Sequence, residues 1–407
     1  MSRTEIPAES PYAWARLAAA LALMTIGGSG MYAVTVVLPR VQADFGIGRA
    51  DASLPYTFTM IGFGFGGILM GRLADRYGVM VPVIVGALGL CAGFVAAGTA
   101  GSIWQFNLAQ GLLIGLLGTS ATFAPLVADI SLWFTRRRGI AVAICISGNY
   151  LAGTIWPPLM QHYIDSAGWR QTYIGIGVFC LLAMLPLALF LRPRPPVPEL
   201  PAAGTVAAGA EGTLGLAPGT LLTLLCVAGV ACCVAMSMPQ VHIVAYCGDL
   251  GFGPARGAQM LSLMLGFGIV SRLTFGWVSD HIGGLRTLLL GSTLQCVALL
   301  LFLPFKGLVS LYLVSALFGL FQGGIVPSYA LIVREHFTAR EAGARVGTVL
   351  MATLFGMALG GWMSGAIFDA TGSYRAAFVN GIAWNLVNIG IVLALLYRLR
   401  GRAALAA

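Results

Sequence analysis

A single arginine, Arg272, stands inside the apolar stretch LGFGIVSRLTFGWVSD of Leu265–Asp280. From about Gly257 to Val278 the chain is otherwise apolar or small, and about 20 such residues suffice to cross a bilayer. A guanidinium stays protonated at any biological pH. Near the middle of a spanning helix it costs roughly 2.5–3.5 kcal/mol on insertion scales. Intramembrane charges kept at that cost line water-filled paths and hold counter-ions. One helical turn away on either side stand Gly268 and Gly276, so the helix itself brings no carboxylate. The expected counter-ion is therefore a mobile organic anion. The plainer alternative is an arginine that snorkels or pairs with a distant acid.

Other chemistry is sparse. His242 follows Pro239 and Gln240 toward one end of an apolar run. Histidine carries a proton near neutral pH, so His242 is a candidate for proton coupling, with interfacial hydrogen bonding as the plainer role. No Ser/His/Asp set, HExxH or pair of intramembrane acids supports an enzyme. The eight cysteines lie mostly in apolar runs without CxxC spacing, so neither disulfides nor a metal is expected, and no cofactor is implied.

These residues must be held by a membrane scaffold. Of 407 residues, 58% are hydrophobic and only 9% charged, which places the chain among polytopic membrane proteins. The 55 glycines suit close helix packing. The net charge of +9 would suggest nucleic acid in a soluble protein; here it reads as topology. The first apolar run, about 13–39, is too long for a cleavable signal and is expected to be the first span. Twelve spans are predicted, at about 13–39, 51–74, 79–99, 103–130, 138–163, 170–191, 219–246, 257–279, 284–303, 308–333, 344–368 and 376–397. With both termini in the cytoplasm, sixteen of the 23 basic residues fall inside, six outside, and Arg272 within span 8. That obeys the positive-inside rule.

The two halves repeat. Gly71-x3-Asp75-x2-Gly78 after span 2 returns as Gly276-x3-Asp280-x2-Gly283 after span 8, 205 residues later. Phe134-Thr135 returns as Phe337-Thr338 at an offset of 203, and Asp165-x2-Gly168 as Asp369-x2-Gly372 at 204. The expected organisation is an N-terminal six-helix half (1–191), a flexible Pro/Ala/Gly-rich cytoplasmic linker (192–218) and a C-terminal six-helix half (219–407). A six-plus-six parallel duplication suits a site near the midplane.

GRLADRYG at 71–78 resembles the loop 2–3 motif of the major facilitator superfamily. The resemblance implies an all-α major facilitator fold, twelve transmembrane helices in two pseudo-symmetric halves, with this loop locking a gate. Gly71, Gly78, Asp75, Arg76 and Asp280 are then gating or structural residues, and Asp129, near the end of span 4, is expected to pair with Arg72 or Arg76. Val79-Met80 replace the basic residues usual at the motif's end.

WFTRRRGIAVAICISG at 133–148 is similar to the entry to span 5 in monocarboxylate transporters. With an arginine in span 8, it points to the monocarboxylate-porter and oxalate:formate-antiporter branch, and Arg272 matches that branch's substrate-anion arginine. Three positions depart. Animal monocarboxylate transporters carry an Asp where Gly268 stands and a Lys in span 1 where Tyr32 falls. The oxalate exchanger has a Lys in span 11, where nothing basic lies between Arg345 and Arg375. One carboxylate per cargo fits best, and a proton would travel on the substrate, on a histidine, or not at all. In this fold the mid-depth candidates for the cargo path are Tyr32, Tyr56, Thr119, Thr122, Asn149, Tyr150, Gln322, Tyr329 and Thr353. Asn149 and Tyr150 stand out because they follow Gly148 at the centre of span 5. A tyrosine can donate to a carboxylate while its ring packs an apolar tail; the plainer role for each is a bond to a neighbouring helix.

The expectation is a secondary transporter of small monocarboxylates such as lactate or pyruvate, working by alternating access, with proton symport as one mode. The alternative is an organic-anion exchanger or an organic-acid or drug exporter of the same fold. Its partners would be a small carboxylate, protons and the lipid bilayer, not nucleic acid. A bacterial inner membrane is expected from the Arg-rich, Lys-poor, Ala-rich usage, and a monomer because the fold alone allows one.

Overall fold

The computed structural model describes residue 7, residues 9–193 and residues 216–406. Twelve helices are long and apolar enough to span a membrane: α1 (Pro11–Phe45), α2 (Arg49–Tyr77), α3 (Met80–Gly98), α4 (Ile103–Trp133), α5 (Arg138–Ala167), α6 (Trp169–Phe190), α7 (Pro218–Asp249), α8 (Pro254–Ile282), α9 (Gly284–Leu301), α10 (Leu308–His336), α11 (Glu341–Thr371) and α12 (Tyr374–Leu399). No strand occurs among the described residues. In hydrocarbon every backbone polar group must be bonded internally, and helices do this within one segment. The helices mostly outrun the apolar runs, because helical bonding continues into the charged ends. Most of the expected linker, residues 194–215, lies outside the described residues.

Turns follow the repeat. Among the described residues, six of the seven glycines with positive φ pair across the repeat, Gly46 with Gly251, Gly78 with Gly283 and Gly168 with Gly372; Gly253 is the seventh. A side chain is strained at those φ values, which glycine adopts freely.

The chain divides into two compact units, Met1–Ile47 with Leu54–Thr205, and Gly48–Ser53 with Val206–Ala407. The start of α2 thus packs with the second unit. Within the first unit α2 meets α4 backbone to backbone. A Cβ on Gly62 would stand 2.1 Å from the Gly111 carbonyl oxygen, and one on Gly66 2.2 Å from that of Leu116. The second unit has the same seam between α8 and α10. There a Cβ on Gly319 would stand 1.9 Å from the Met264 oxygen, and one on Gly323 2.4 Å from that of Gly268. Small residues permit this approach where no hydrophobic force drives helices together.

Both seam helices are interrupted. In α4, an α-helical start is followed by a π-helical stretch, Ala109–Thr119, and the α-helix resumes at Ala124–Trp133 with Pro125 in its first turn. In α10, Leu308–Gln322 and Ile325–His336 are separated by Gly323-Gly324, with Pro327 just beyond. Proline lacks the N–H that an interior position needs, so each helix restarts around it. By contrast α5 runs through Pro157 and Pro158.

Candidate functional site

In the second unit α8 buries one face, formed by Leu261, Met264, Gly268, Ser271 and Phe275. Its opposite face is open, with Trp277 66% exposed. Arg272 is half-buried and lies three residues before Phe275, about 60° round the helix at 3.6 residues per turn. It therefore stands at the edge of the packed face. Directly alongside, Ser271 is fully buried, and its hydroxyl has no hydrogen-bond partner among the described residues. The break in α10 meets α8 at this level: a Cβ on Gly323 would stand 3.0 Å from Ser271 Oγ.

Gln322 immediately precedes that break and is fully buried. Its Oε1 accepts from Gln240 Nε2 at 2.9 Å, and its own amide nitrogen has no partner among the described residues. Two donors, Ser271 Oγ–H and Gln322 Nε2–H, are thus unspent where α8 and α10 meet, and Ser271 immediately precedes Arg272 in the chain. Buried polar groups are nearly always bonded. The arrangement can accept an anion. Gln240 belongs with this group; its place directly after Pro239 in a spanning helix is the sequence signal for it.

Tyr329 sits elsewhere. It is fully buried, donating to Asn388 Oδ1 at 3.0 Å, while Asn388 Nδ2 donates to Ser292 Oγ at 2.6 Å. It ties α10 to α12 and, through Asn388, to α9.

In the first unit the polar candidates collect at a joint in α1, where Gly28 separates Pro11–Gly27 from Ser29–Phe45. Thr122 would be 2.2 Å from a Cβ on Gly27, Asn149 Oδ1 3.6 Å from one on Gly28, and Thr119 Oγ1 2.6 Å from one on Gly30. Thr119 is buried and its hydroxyl has no partner among the described residues. Tyr32 follows two residues later, buried like Tyr150, and Asn149 is half-buried. The run Gly27-Gly28-Ser29-Gly30 was the sequence signal for this joint.

The expected gate residues are distributed differently from the reading of the motif. Asp75 and Arg76 are exposed at the α2–α3 turn, with Arg76 over the ring of Tyr77 at 5.2 Å. Gly71 has open space beside it, Asp280 is exposed, and Gly78 and Gly283 supply the turns. Asp129 pairs with neither Arg72 nor Arg76. It accepts two bonds from Arg16 of α1, Nε to Oδ2 at 2.8 Å and Nη2 to Oδ1 at 2.9 Å. Arg16 is fully buried, its guanidinium 4.7 Å from the Trp133 ring centroid and bonded to Tyr12 Oη and the Pro193 carbonyl oxygen. A buried guanidinium needs a carboxylate far more than exposed Arg72 or Arg76 does.

His242 is fully buried in the second unit, Nε2 2.8 Å from the Gly361 oxygen and Nδ1 3.0 Å from Tyr374 Oη. A carbonyl only accepts, so Nε2 carries the hydrogen and Nδ1 accepts from the tyrosine hydroxyl. That hydroxyl oxygen accepts from Arg49 Nη1 at 2.7 Å. Arg49 in turn grips Asp249 at 3.0 and 3.2 Å, and Asp369 accepts the backbone N–H groups of Arg49 and Ala50 at 2.8 and 2.7 Å. From the sequence alone Arg49 is one of the six basic residues assigned outside.

Outside the spans, Glu9 accepts the backbone N–H groups of Arg136 and Arg137 at 2.7 and 2.8 Å, ahead of α5. Those bonds, that from Arg137 foremost, hold its carboxyl below the ordinary glutamate range. No cluster of three or more His, Cys, Asp or Glu suited to a metal occurs among the described residues.

The family model described as Major Facilitator Superfamily matches residues 18–308 and 223–406. Monocarboxylate transporter 13 of Bos taurus is 29% identical over 333 residues, 81% of this chain and 77% of that one. The MFS-type transporter opdF of Penicillium oxalicum is 27% identical over 342 residues, 81% and 77% of the two chains. Among solved structures, a bacterial homolog of the human lysosomal transporter Spinster, inward-facing and unoccupied, has a TM-score of 0.71 at 15% identity, covering 96% of both chains. A peptide transporter, POT, in complex with sulfate has a TM-score of 0.72 at 15% identity, covering 97% and 96%.

Proposed function

The chain belongs to the Major Facilitator Superfamily, and within that family of transporters we propose that it carries small monocarboxylates by alternating access, with Arg272 as the anion's counter-charge. The observation that carries this reading is Arg272 half-buried in α8, next in the chain to Ser271, whose unspent hydroxyl meets the break in α10 that follows Gln322. A guanidinium presents a planar fork that matches one carboxylate bidentately. Hydrogen bonds to charged groups contribute about 1.5–3 kcal/mol each, a roughly 10- to 100-fold preference over an uncharged analogue. Relatives named as monocarboxylate transporters support the substrate class. Thr119, Asn149, Tyr150 and Tyr32 at the α1 joint are proposed as the first unit's contribution to the path. Both termini are proposed to be cytoplasmic in a bacterial inner membrane, from the arginine bias.

The test is uptake of a labelled monocarboxylate panel into proteoliposomes, with and without an inward proton gradient. Gradient-driven uptake supports proton symport; uptake seen only with preloaded anion supports the exchanger. Arg272→Gln should abolish either. An unchanged rate in that variant, or no uptake of any monocarboxylate by folded protein, overturns the reading.

A further inference from the structure

At the end of the second unit where α7 and α11 finish and α12 begins, a cavity of about 190 Å3 opens. Its walls include Tyr246, Phe302, Phe368 and Tyr374, and Asp249, Lys306 and Arg375 also line it. A dry cavity of about 150 Å3 already holds benzene, so this one has room for a ring bearing a carboxylate.

The charges are not balanced locally. Asp249 is committed to Arg49 at 3.0 and 3.2 Å. Lys306 and Arg375 make no ion pair with any described residue. The internal repeat makes this informative. Asp44 corresponds to Asp249 at an offset of 205; Trp169 and Arg170, the first residues of α6, correspond to Tyr374 and Arg375, the first of α12, one residue beyond the 204 offset of Gly168 and Gly372. In the first unit Arg170 is fully used: it bonds Asp44 at 2.9 Å and the carbonyls of Gly98 and Ala100 at 3.2 and 2.7 Å, and lies 4.5 Å from the Trp169 ring centroid. In the second unit Arg49 has taken the equivalent aspartate, and the equivalent arginine faces the cavity instead. The repeat keeps the cation and withdraws its protein acceptor.

We propose that this cavity binds a small organic carboxylate, its anion held by Arg375 and Lys306 and its apolar body by the aromatic walls. The site shares no residue with the Arg272 junction and does not rest on the transport reading. Its walls Phe368 and Tyr374 are the rings that flank the Arg49 guanidinium at 4.5 and 5.5 Å.

The experiment is equilibrium binding of labelled benzoate to the full chain in detergent, in an Arg272→Gln background that removes the junction's counter-charge. Benzoate should bind that protein, at least tenfold tighter than neutral benzyl alcohol. Adding Lys306→Ala and Arg375→Ala should weaken benzoate binding at least tenfold and leave benzyl alcohol unchanged. Both added substitutions are at exposed positions, and an unchanged unfolding temperature without ligand confirms the fold. Octanoate, a carboxylate with a longer chain, separates the sources: a site for soluble acids prefers benzoate, and preference for octanoate would overturn the small-acid assignment in favour of a fatty acid. No benzoate binding in the Arg272→Gln protein, or equal binding after the two added substitutions, would overturn the site altogether. Loss of uptake with retained benzoate binding in Arg272→Gln leaves both proposals standing, whereas unchanged uptake sinks only the transport reading.

Discussion

Asp129→Ala strands the Arg16 guanidinium in the first unit. In the native protein that group is fully buried and held at 2.8 and 2.9 Å by the carboxylate. Tyr12 Oη and the Pro193 carbonyl remain as acceptors, but neither carries a compensating charge. Removing one partner of a buried ion pair costs about 3–5 kcal/mol, most of it the penalty of the charge left behind. Replacing both, as Arg16→Met with Asp129→Leu, removes that charge as well and should cost far less than the sum of the singles. The assay is unfolding in mild detergent titrated with denaturant, run as a double-mutant cycle. Arg72→Ala and Arg76→Ala, at exposed positions, serve as comparisons and should stay within about 0.5 kcal/mol of wild type. A cost below about 1 kcal/mol for Asp129→Ala, or strict additivity in the double variant, would refute the assignment of Arg16 as the partner on which this end of the unit depends.

Further outcomes follow from the same geometry. Arg272→Lys keeps the charge and loses the planar fork, so uptake should fall by roughly tenfold but not vanish, measured beside Arg272→Gln in proteoliposomes. Gly62→Ala and Gly319→Ala place a methyl group about 2 Å from a facing carbonyl oxygen and should each destabilise by about 1–3 kcal/mol, whereas Gly67→Ala, with open space beside it, should be neutral or slightly stabilising in the same unfolding assay. Because the Glu9 carboxyl lies below its ordinary value, its contribution is complete above the ordinary glutamate range, near pH 4.3, and is lost as pH falls through its own lower value. Hydrogen exchange at the Arg136 and Arg137 amides should accordingly report protection at neutral pH that Glu9→Gln reduces.

Span number and the internal repeat were legible because both are one-dimensional. A bilayer demands a minimum apolar length, and a duplicated fold returns its turn glycines at a constant interval. The repeat even reaches a pair not singled out beforehand, Gly46 and Gly251, whose positive φ marks equivalent helix ends. Arg272 was conspicuous for the same reason, as a permanent charge in an apolar run. Its setting was not legible. That Ser271 and Gln322 hold unspent donors where α8 meets α10 depends on how those helices rotate and how closely Gly323 lets them approach.

The sequence by itself determined the class of protein, the twelve crossings, the duplication and the arginine within span 8, since hydropathy, length and spacing are local properties that lipid enforces directly. Tertiary structure alone decided which charges meet. Arg16 finds Asp129 across 113 residues and Arg49 finds Asp249 across 200. Each helical residue turns about 100° from the last, so the face a side chain presents, and the helix it presents it to, are settled only when the whole bundle packs.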